Sequence, residues 1–317
     1  MADRNIVCIS ANPALDRQLR LPSLCLGEVN RASGALPLAG GKAAHVALSA
    51  RALGANALWI GFLGGAIGEE CASELRRQGV EVVPVRTKSP TRVNVEIVED
   101  SGRITEVLEP GSAPDSAERA EMLRVVTEAL SSRWRGALVV ISGSLPAGVD
   151  PEFYASLIEA AHGSGSKVFV DTSGDALRAS IGARPEFVKP NRKEAALLLG
   201  KKLADLRAAE DAVRQIMGRG PQSSAVTLGP DGIVWSESDG GPLWLAQPPR
   251  LKATSTVGCG DATLAGFAWA MLNNWHGERA LRFATACGAA NCLAEFEGRI
   301  ALCDVQSLIP QISVTAL

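Results

Sequence analysis

The chain sets a carboxylate directly behind two glycines at Ser255-Thr-Val-Gly258-Cys259-Gly260-Asp261, and a helical pattern, Ala-Thr-Leu-Ala-Gly266-Phe-Ala-Trp-Ala, begins at once. Backbone N–H groups of 259 to 261 would then point along a helix start, where the macrodipole favours anions. Such a turn suits the negative charge that develops on a phosphoryl group in transfer. A carboxylate beside it can take the proton of a hydroxyl nucleophile. The plainer alternative is that Asp261 caps the helix and the glycines only shape the turn.

A second segment, Lys189-Pro190-Asn191-Arg192-Lys193-Glu194, puts Asn191 and Glu194 three apart on the first turn of a helix. Either they form a capping box, or they hold Mg2+-bound waters near phosphates. In Ala39-Gly40-Gly41-Lys42-Ala43-Ala44-His45 the glycines allow backbone to approach a ligand and Lys42 offers a point charge. A tight strand-to-helix turn with a solvated Lys and a satisfied His is the competing reading. Asn12-Pro13-Ala14-Leu15-Asp16 leaves a carboxylate just beyond the first strand, where a doubly wound sheet places its ligand. Arg92, in Thr91-Arg92-Val93-Asn94, is either a bidentate phosphate clamp or an exposed strand residue. Thr227-Leu228-Gly229-Pro230-Asp231-Gly232 is either the border of a nucleotide or only a turn.

The elements that must position these groups alternate. Ile6 to Ser10, Ala57 to Leu63, Ala137 to Ile141, Lys167 to Asp171, Phe187 to Val188 and Ala225 to Leu228 read as buried strands. Helical stretches lie between them, such as Ala43 to Leu53 and Ile67 to Gln78, ended by Gly54 and Gly79. Alternation of this kind implies right-handed βαβ crossovers and a doubly wound, mostly parallel sheet. Two segments break the rhythm: residues 12–38, rich in Pro and Gly, and the alternating strand Thr91 to Glu99 with its turn and return over Ile104 to Leu108. They are expected to pair into a small antiparallel sheet over the site mouth.

Several function classes fall away. Lys plus Arg number 32 against 34 Asp plus Glu, so the chain lacks the basic footprint of a nucleic-acid or membrane-surface protein. Apolar content of 46% excludes a disordered chain, and no apolar run is long enough to span a bilayer. Seven scattered Cys with no C-x-x-C, and only three His, argue against structural zinc and a disulfide framework. The N-terminus runs into its first strand without a signal-peptide core, so a cytoplasmic location is expected. Walker A fails because Leu36 stands where its first Gly belongs, and the dinucleotide fingerprint of an oxidoreductase does not occur.

Taken in order, Asn-Pro-Ala-Leu-Asp, Gly-Gly-Lys, Thr-Arg-x-Asn, Ser-Gly-Ser-Leu-Pro, Lys-Pro-Asn-x-x-Glu, Leu-Gly-Pro-Asp-Gly and Ser-Thr-Val-Gly-Cys-Gly-Asp cover residues 12–261. This sequence of motifs closely resembles the ribokinase-like (phosphofructokinase B) carbohydrate kinases. The nearest branch phosphorylates hexose phosphates: 6-phosphofructokinase of the minor type, 1-phosphofructokinase and tagatose-6-phosphate kinase. The resemblance implies one ribokinase-like α/β domain over 1–317, with a β lid from segments 12–38 and 88–110 that often forms a homodimer interface. It implies ATP as donor with Mg2+, and K+ as a further candidate cation. The acceptor it implies is a sugar phosphate: fructose 6-phosphate, fructose 1-phosphate or tagatose 6-phosphate.

Carried over by position, Asp261 resembles the general base, and Gly258, Cys259 and Gly260 the anion hole. Asn191 and Glu194 match the element that organises Mg2+ through water, with Lys189 beside the nucleotide. Asp16, Gly40, Gly41 and Lys42 match the sugar site, and Arg31, Arg92 and Ser144 are candidates for the acceptor's existing phosphate. Thr227, Gly229 and Gly232 resemble the nucleotide edge, and Asn291 the helix bordering adenine. The chain departs from the family at Ala43, Ala44 and His45, where Gly, a small residue and a sugar-contacting Asn are usual. Cys259 also replaces the commoner Ala, and Ala262 the usual Ser or Thr. The altered acceptor loop leaves two alternatives open: a kinase for an unphosphorylated sugar or nucleoside, and a non-catalytic sugar-phosphate sensor.

Overall fold

A strand that is apolar at every position must be covered on both faces. In the first strand, β1 (Asn5–Ser10), Ile6 and Cys8 enter one apolar cluster while Val7 and Ile9 enter another. The same alternation runs through β4 (Asn56–Leu63) and β8 (Leu138–Ser142), so two cores flank a single sheet. The computed structural model describes residues 4–253 and 255–317.

The remaining strands in chain order are β2 (Ala14–Leu21), β3 (Gly34–Gly40), β5 (Glu81–Arg86), β6 (Arg92–Glu99), β7 (Ile104–Leu108), β9 (Val168–Asp171), β10 (Phe187–Val188), β11 (Ser223–Thr227), β12 (Ile233–Ser236), β13 (Leu243–Gln247) and β14 (Ser313–Ala316). Ten of them form one sheet in the order β14-β13-β12-β11-β10-β9-β8-β1-β4-β5. From β5 to β11 every pairing is parallel, whereas β12, β13 and β14 close one edge antiparallel. That edge is absent from the sequence reading, because Ile233–Ser236 and Leu243–Gln247 are short and contain Ser, Trp and Gln.

The second sheet, β3-β2-β6-β7, is the lid. Two antiparallel hairpins, β2 with β3 and β6 with β7, join edge to edge through a parallel pairing of β2 with β6. Register partners Asp16 and Asn94, then Gln18 and Glu96, share one face, and all four are buried. Polar residues on the covered face of a sheet are the reverse of a core pattern.

The C-terminal ends of the parallel strands collect at one edge of the large sheet. Beyond them lie Asn12 after β1, Ser144 after β8, Lys189 and Asn191 after β10 and Gly229 after β11, with Asp171 closing β9. Helices Lys42–Ala52 and Cys259–Leu272 start at this edge and pack against each other. The second is buried over Asp261–Ala270, as its near-uniform apolarity requires. Gly266 lets it approach helix Gly277–Asn291 closely: an added Cβ would lie 2.7 Å from Ala284 Cα and 3.0 Å from Cys287 Sγ. Gly266→Val should therefore destabilise the fold by about 1–3 kcal/mol through overpacking. A lower urea midpoint with an unchanged m-value is the measurement.

Candidate active site

Three buried carboxylates converge at this edge, each facing a cation. Asp171 closes β9 and is 2% exposed; its Oδ2 lies 2.8 Å from Lys189 Nζ and its Oδ1 3.2 Å from Lys42 Nζ. Burial would raise the Asp171 carboxyl, but the two ammonium groups outweigh it and hold it below the usual carboxylate range. Lys42 in turn is pushed up, by Asp171 first, against the opposing effect of burial and with help from Glu194 and Asp261. Its Nζ is 3.6 Å from Glu194 Oε1. The sequence reading missed Asp171. Its signal was an acid ending an otherwise apolar strand, Val168-Phe-Val-Asp171.

Asp261 sits in the first turn of helix Cys259–Leu272, behind Gly258 in the left-handed region (φ 76°). A side chain at 258 would be strained there and would meet Asn291 and Glu297. Gly260 packs over Lys189, whose Nζ is 3.2 Å from where a Cβ would stand. The Gly258–Asp261 turn is thus a helix N-terminus with a lysine beneath it, an arrangement that attracts anions. Cys259 Sγ lies 3.1 Å from Cys292 Sγ.

The third carboxylate, Asp16, is 5% exposed on the inner face of the lid, and its Oδ1 accepts a 2.7 Å hydrogen bond from Asn94 Nδ2. Between Asp16 and Asp261 lies His45. Its Nδ1 is 3.0 Å from Asp261 Oδ2, and its Nε2 is 3.7 Å from Asp16 Oδ2, an ion-pair separation longer than a hydrogen bond. Burial pulls the imidazolium pKa down, but the close approach and negative charge of the Asp16 and Asp261 carboxylates prevail and push it up to about 10. Because the folded value exceeds the ordinary one near ~6.5, this ion network stabilises the fold fully below that pH and ceases to do so as the pH rises through about 10.

Asn191 and Glu194 do form the capping box: Asn191 Oδ1 accepts from the N–H groups of Lys193 and Glu194, and Glu194 Oε2 accepts from Asn191 N–H. Glu194 Oε1 remains turned toward Lys42. No group of three or more metal-ligating side chains occurs among the described residues. A single carboxylate oxygen and nearby lysines fit Mg2+ carried on phosphates and held through water rather than caged by protein. Thr227 bridges to Asn191, which brings Gly229 and Gly232 alongside.

Among the described residues, three further candidates make polar contacts within the protein, and one does not. Arg92 commits its whole fork to backbone carbonyls, Nε to Pro13, Nη1 to Glu109 and Nη2 to Asn12, so it straps the lid to the mouth. Asn12 Nδ2 donates to Ser144 Oγ at 3.3 Å, which places Ser144 at the same mouth. Asn291 is 1% exposed; its amide donates to Val257 O and accepts from Gly298 N–H, fastening the turn before the anion site. Arg31 is exposed on the β2–β3 connection and makes no hydrogen bond or ion pair among the described residues.

A doubly wound sheet with a β lid, and a carboxylate at a glycine-flanked helix N-terminus below it, define the ribokinase-like class of kinase fold. The pfkB family carbohydrate kinase profile matches residues 3–295, and the chain belongs to that family. It is a carbohydrate kinase. It is 32% identical over 318 residues to the 1-phosphofructokinase of Vibrio cholerae serotype O1, covering 99% of this chain and 98% of that protein. The 1-phosphofructokinase of Escherichia coli K12 is 31% identical over 301 residues, covering 95% and 94%. Phosphofructokinase-2 from E. coli, solved in complex with potassium, superposes with a TM-score of 0.90 at 31% identity, covering 98% of this chain and 99% of that one.

Gly40 supplies a test of the acceptor side. A Cβ there would fall on the Asp16 carboxylate itself. Gly40→Ala should displace that carboxylate and lower kcat/KM for the acceptor by about 10–100-fold, with the KM for ATP unchanged in steady-state kinetics.

Proposed function

We propose that this kinase transfers the γ-phosphoryl group of ATP to a hydroxyl of a ketose phosphate, with fructose 1-phosphate as the acceptor. The observation that carries the reading is Asp261, a buried carboxylate at the head of a helix whose first N–H groups and underlying Lys189 suit phosphate. The acceptor follows the full-length relatives, which are named 1-phosphofructokinase. A fructose 6-phosphate acceptor is the second reading, because E. coli phosphofructokinase-2 was solved with that sugar at similar likeness (TM-score 0.88, 31% identity).

Phosphoryl transfer asks a protein mainly for positioning, for charge to meet the equatorial oxygens, and for a group to receive the hydroxyl proton. Asp16 and the Gly40–Gly41 backbone hold acceptor hydroxyls in this reading. Lys42 and Lys189 lie along the path of the transferring group, and the 258–260 turn donates N–H groups to it. Asp261 takes the proton, which leaves its carboxyl neutral as the new ester forms. Bound Mg2+ would supply charge to the phosphates, and Glu194, with Asn191 beside it, would hold its waters.

Asp261→Asn should bind ATP and acceptor yet lose about 10²–10⁴-fold or more in kcat. An ADP-release assay with MgATP, run with and without K+, reads this against fructose 1-phosphate, fructose 6-phosphate, tagatose 6-phosphate, free fructose, ribose and adenosine. Turnover confined to fructose 1-phosphate supports the assignment; turnover on an unphosphorylated acceptor overturns it.

The outer face of the lid supports a homodimer. Leu19, Val95, Ile97 and Val107 lie opposite the polar inner face and are half-buried or exposed, Val107 at 58%. An apolar sheet face of this kind needs cover. Joint replacement of Val95 and Val107 by Asp should shift the mass in solution from two chains to one, as read by light scattering.

A further inference from the structure

His45 stands where two parts of the proposed reaction meet, and the mechanism above makes no use of it. Both ring nitrogens face carboxylates, Nδ1 within hydrogen-bond distance of Asp261 and Nε2 at ion-pair distance from Asp16. No other hydrogen bond to the Asp261 carboxylate exists among the described residues, which leaves Oδ1 for a substrate hydroxyl. The ring itself has little freedom. Its residue is in the first turn of helix Lys42–Ala52, and Gly298 lies so close that a Cβ there would meet His45 Cα at 2.7 Å. Gly298 is held in turn by Ser49 Oγ on its carbonyl and by Asn291 Oδ1 on its N–H.

Charge supplies the second line of argument. The groups whose charge reaches this ring are Asp16 from β2, Glu96 from β6, Glu106 from β7 and Asp261 from helix Cys259–Leu272, and Glu297 stands within charge range of Glu96 and Glu106. All are acids. Buried carboxylates without a counter-charge repel one another and cost several kcal/mol each. Lys42 and Lys189 pair with Asp171, and although the charge of Lys42 also reaches Asp261 and that of Arg92 reaches Asp16, the imidazolium is the cation in contact with both Asp16 and Asp261.

We propose that His45 is a positioning residue whose imidazolium bridges the base Asp261 and the acceptor-binding Asp16, fixing both carboxylates at once and turning Asp261 Oδ1 toward the reacting hydroxyl. The bridge makes the acceptor and catalytic halves one rigid unit. A weakened base is the cost of a hydrogen bond from a cation, but alignment governs a loose phosphoryl transfer more than base strength does. This inference rests on the reading of Asp261 as the general base.

The test uses the full-length kinase with MgATP and its best acceptor, with ADP quantified directly between pH 7 and 10.5. Wild type should lose kcat as the pH approaches about 10, where His45 gives up its proton. His45→Gln should lack that limb and show kcat lower by about 10–100-fold, with a smaller change in acceptor KM. A purely structural histidine would instead lower thermal stability and leave the shape of the pH profile unchanged. Nitrogen-15 NMR of labelled histidines supplies an independent readout: at pH 8.5 the His45 ring should carry a proton on both nitrogens. Should His45→Gln not fold, His162→Gln and His276→Gln assign the three histidine signals and the wild-type titration decides. A neutral His45 ring at pH 8.5, or a His45→Gln variant with wild-type kcat and an intact alkaline limb, overturns the proposal. Asp261→Asn is run alongside. Near-wild-type turnover there overturns the general-base reading itself, whereas an inactive Asp261→Asn beside an unaffected His45→Gln overturns only the part given to His45.

Discussion

Taking a carboxylate out of water is expensive unless a counter-charge and hydrogen bonds replace its hydration. Asp16, Asp171 and Asp261 are all buried at one sheet edge. The surrounding architecture can be understood as meeting that requirement. Asp171 receives Lys189 and Lys42, while Asp16 and Asp261 share His45. These partners come from the ends of β9 and β10, from the two helices that begin at this edge and from the lid. A shift of any one element would leave a buried charge unmatched, so the electrostatics and the packing specify the same arrangement.

Close backbone approach is the second constraint, and glycine meets it. Gly40 gives its side-chain volume to the Asp16 carboxylate, and Gly266 lets helix Cys259–Leu272 settle on its neighbour. Gly258 takes a left-handed conformation so that the chain can turn into the helix with its N–H groups free. Each glycine acts on a different group, yet all three bear on where Asp261 and Asp16 stand. Asn291 works to the same end by polar means, tying Val257 to Gly298 and so linking the anion turn to the support behind His45.

The sequence made the parallel strands legible because burial on both faces leaves unbroken apolar runs, as in Ile6–Ile9 and Leu138–Ile141. The lid was legible through its hairpin turn and alternating polarity. The antiparallel edge was not, since β13 and β14 are half-exposed and carry no such run. At the site, spacing singled out Asp261 and the Asn191–Glu194 pair, which the fold brings to one sheet edge, because glycines and helix-start chemistry mark those places locally. Asp171 and the bridging position of His45 escaped for a different reason. Their meaning lies in partners 129 and 216 residues away in the chain, and local pattern carries no information about which cation a folded chain brings to which acid.

The same separation explains how the site can vary on one side and hold on the other. In the proposed function the phosphate-facing side is built from backbone at 258–260 and from the Lys42–Asp171–Lys189 cluster, so a thiol at position 259 is tolerated wherever its N–H is the working group. The proposed acceptor side is built from side chains on the lid and on helix Lys42–Ala52, where exchanging one residue changes shape, charge and proton inventory together. An imidazole at position 45 fills that space with a ring that donates at both ends when protonated, whereas an amide can donate through its nitrogen only. Asp16 on the lid and Asp261 at the head of helix Cys259–Leu272 are thereby joined through a single titratable group.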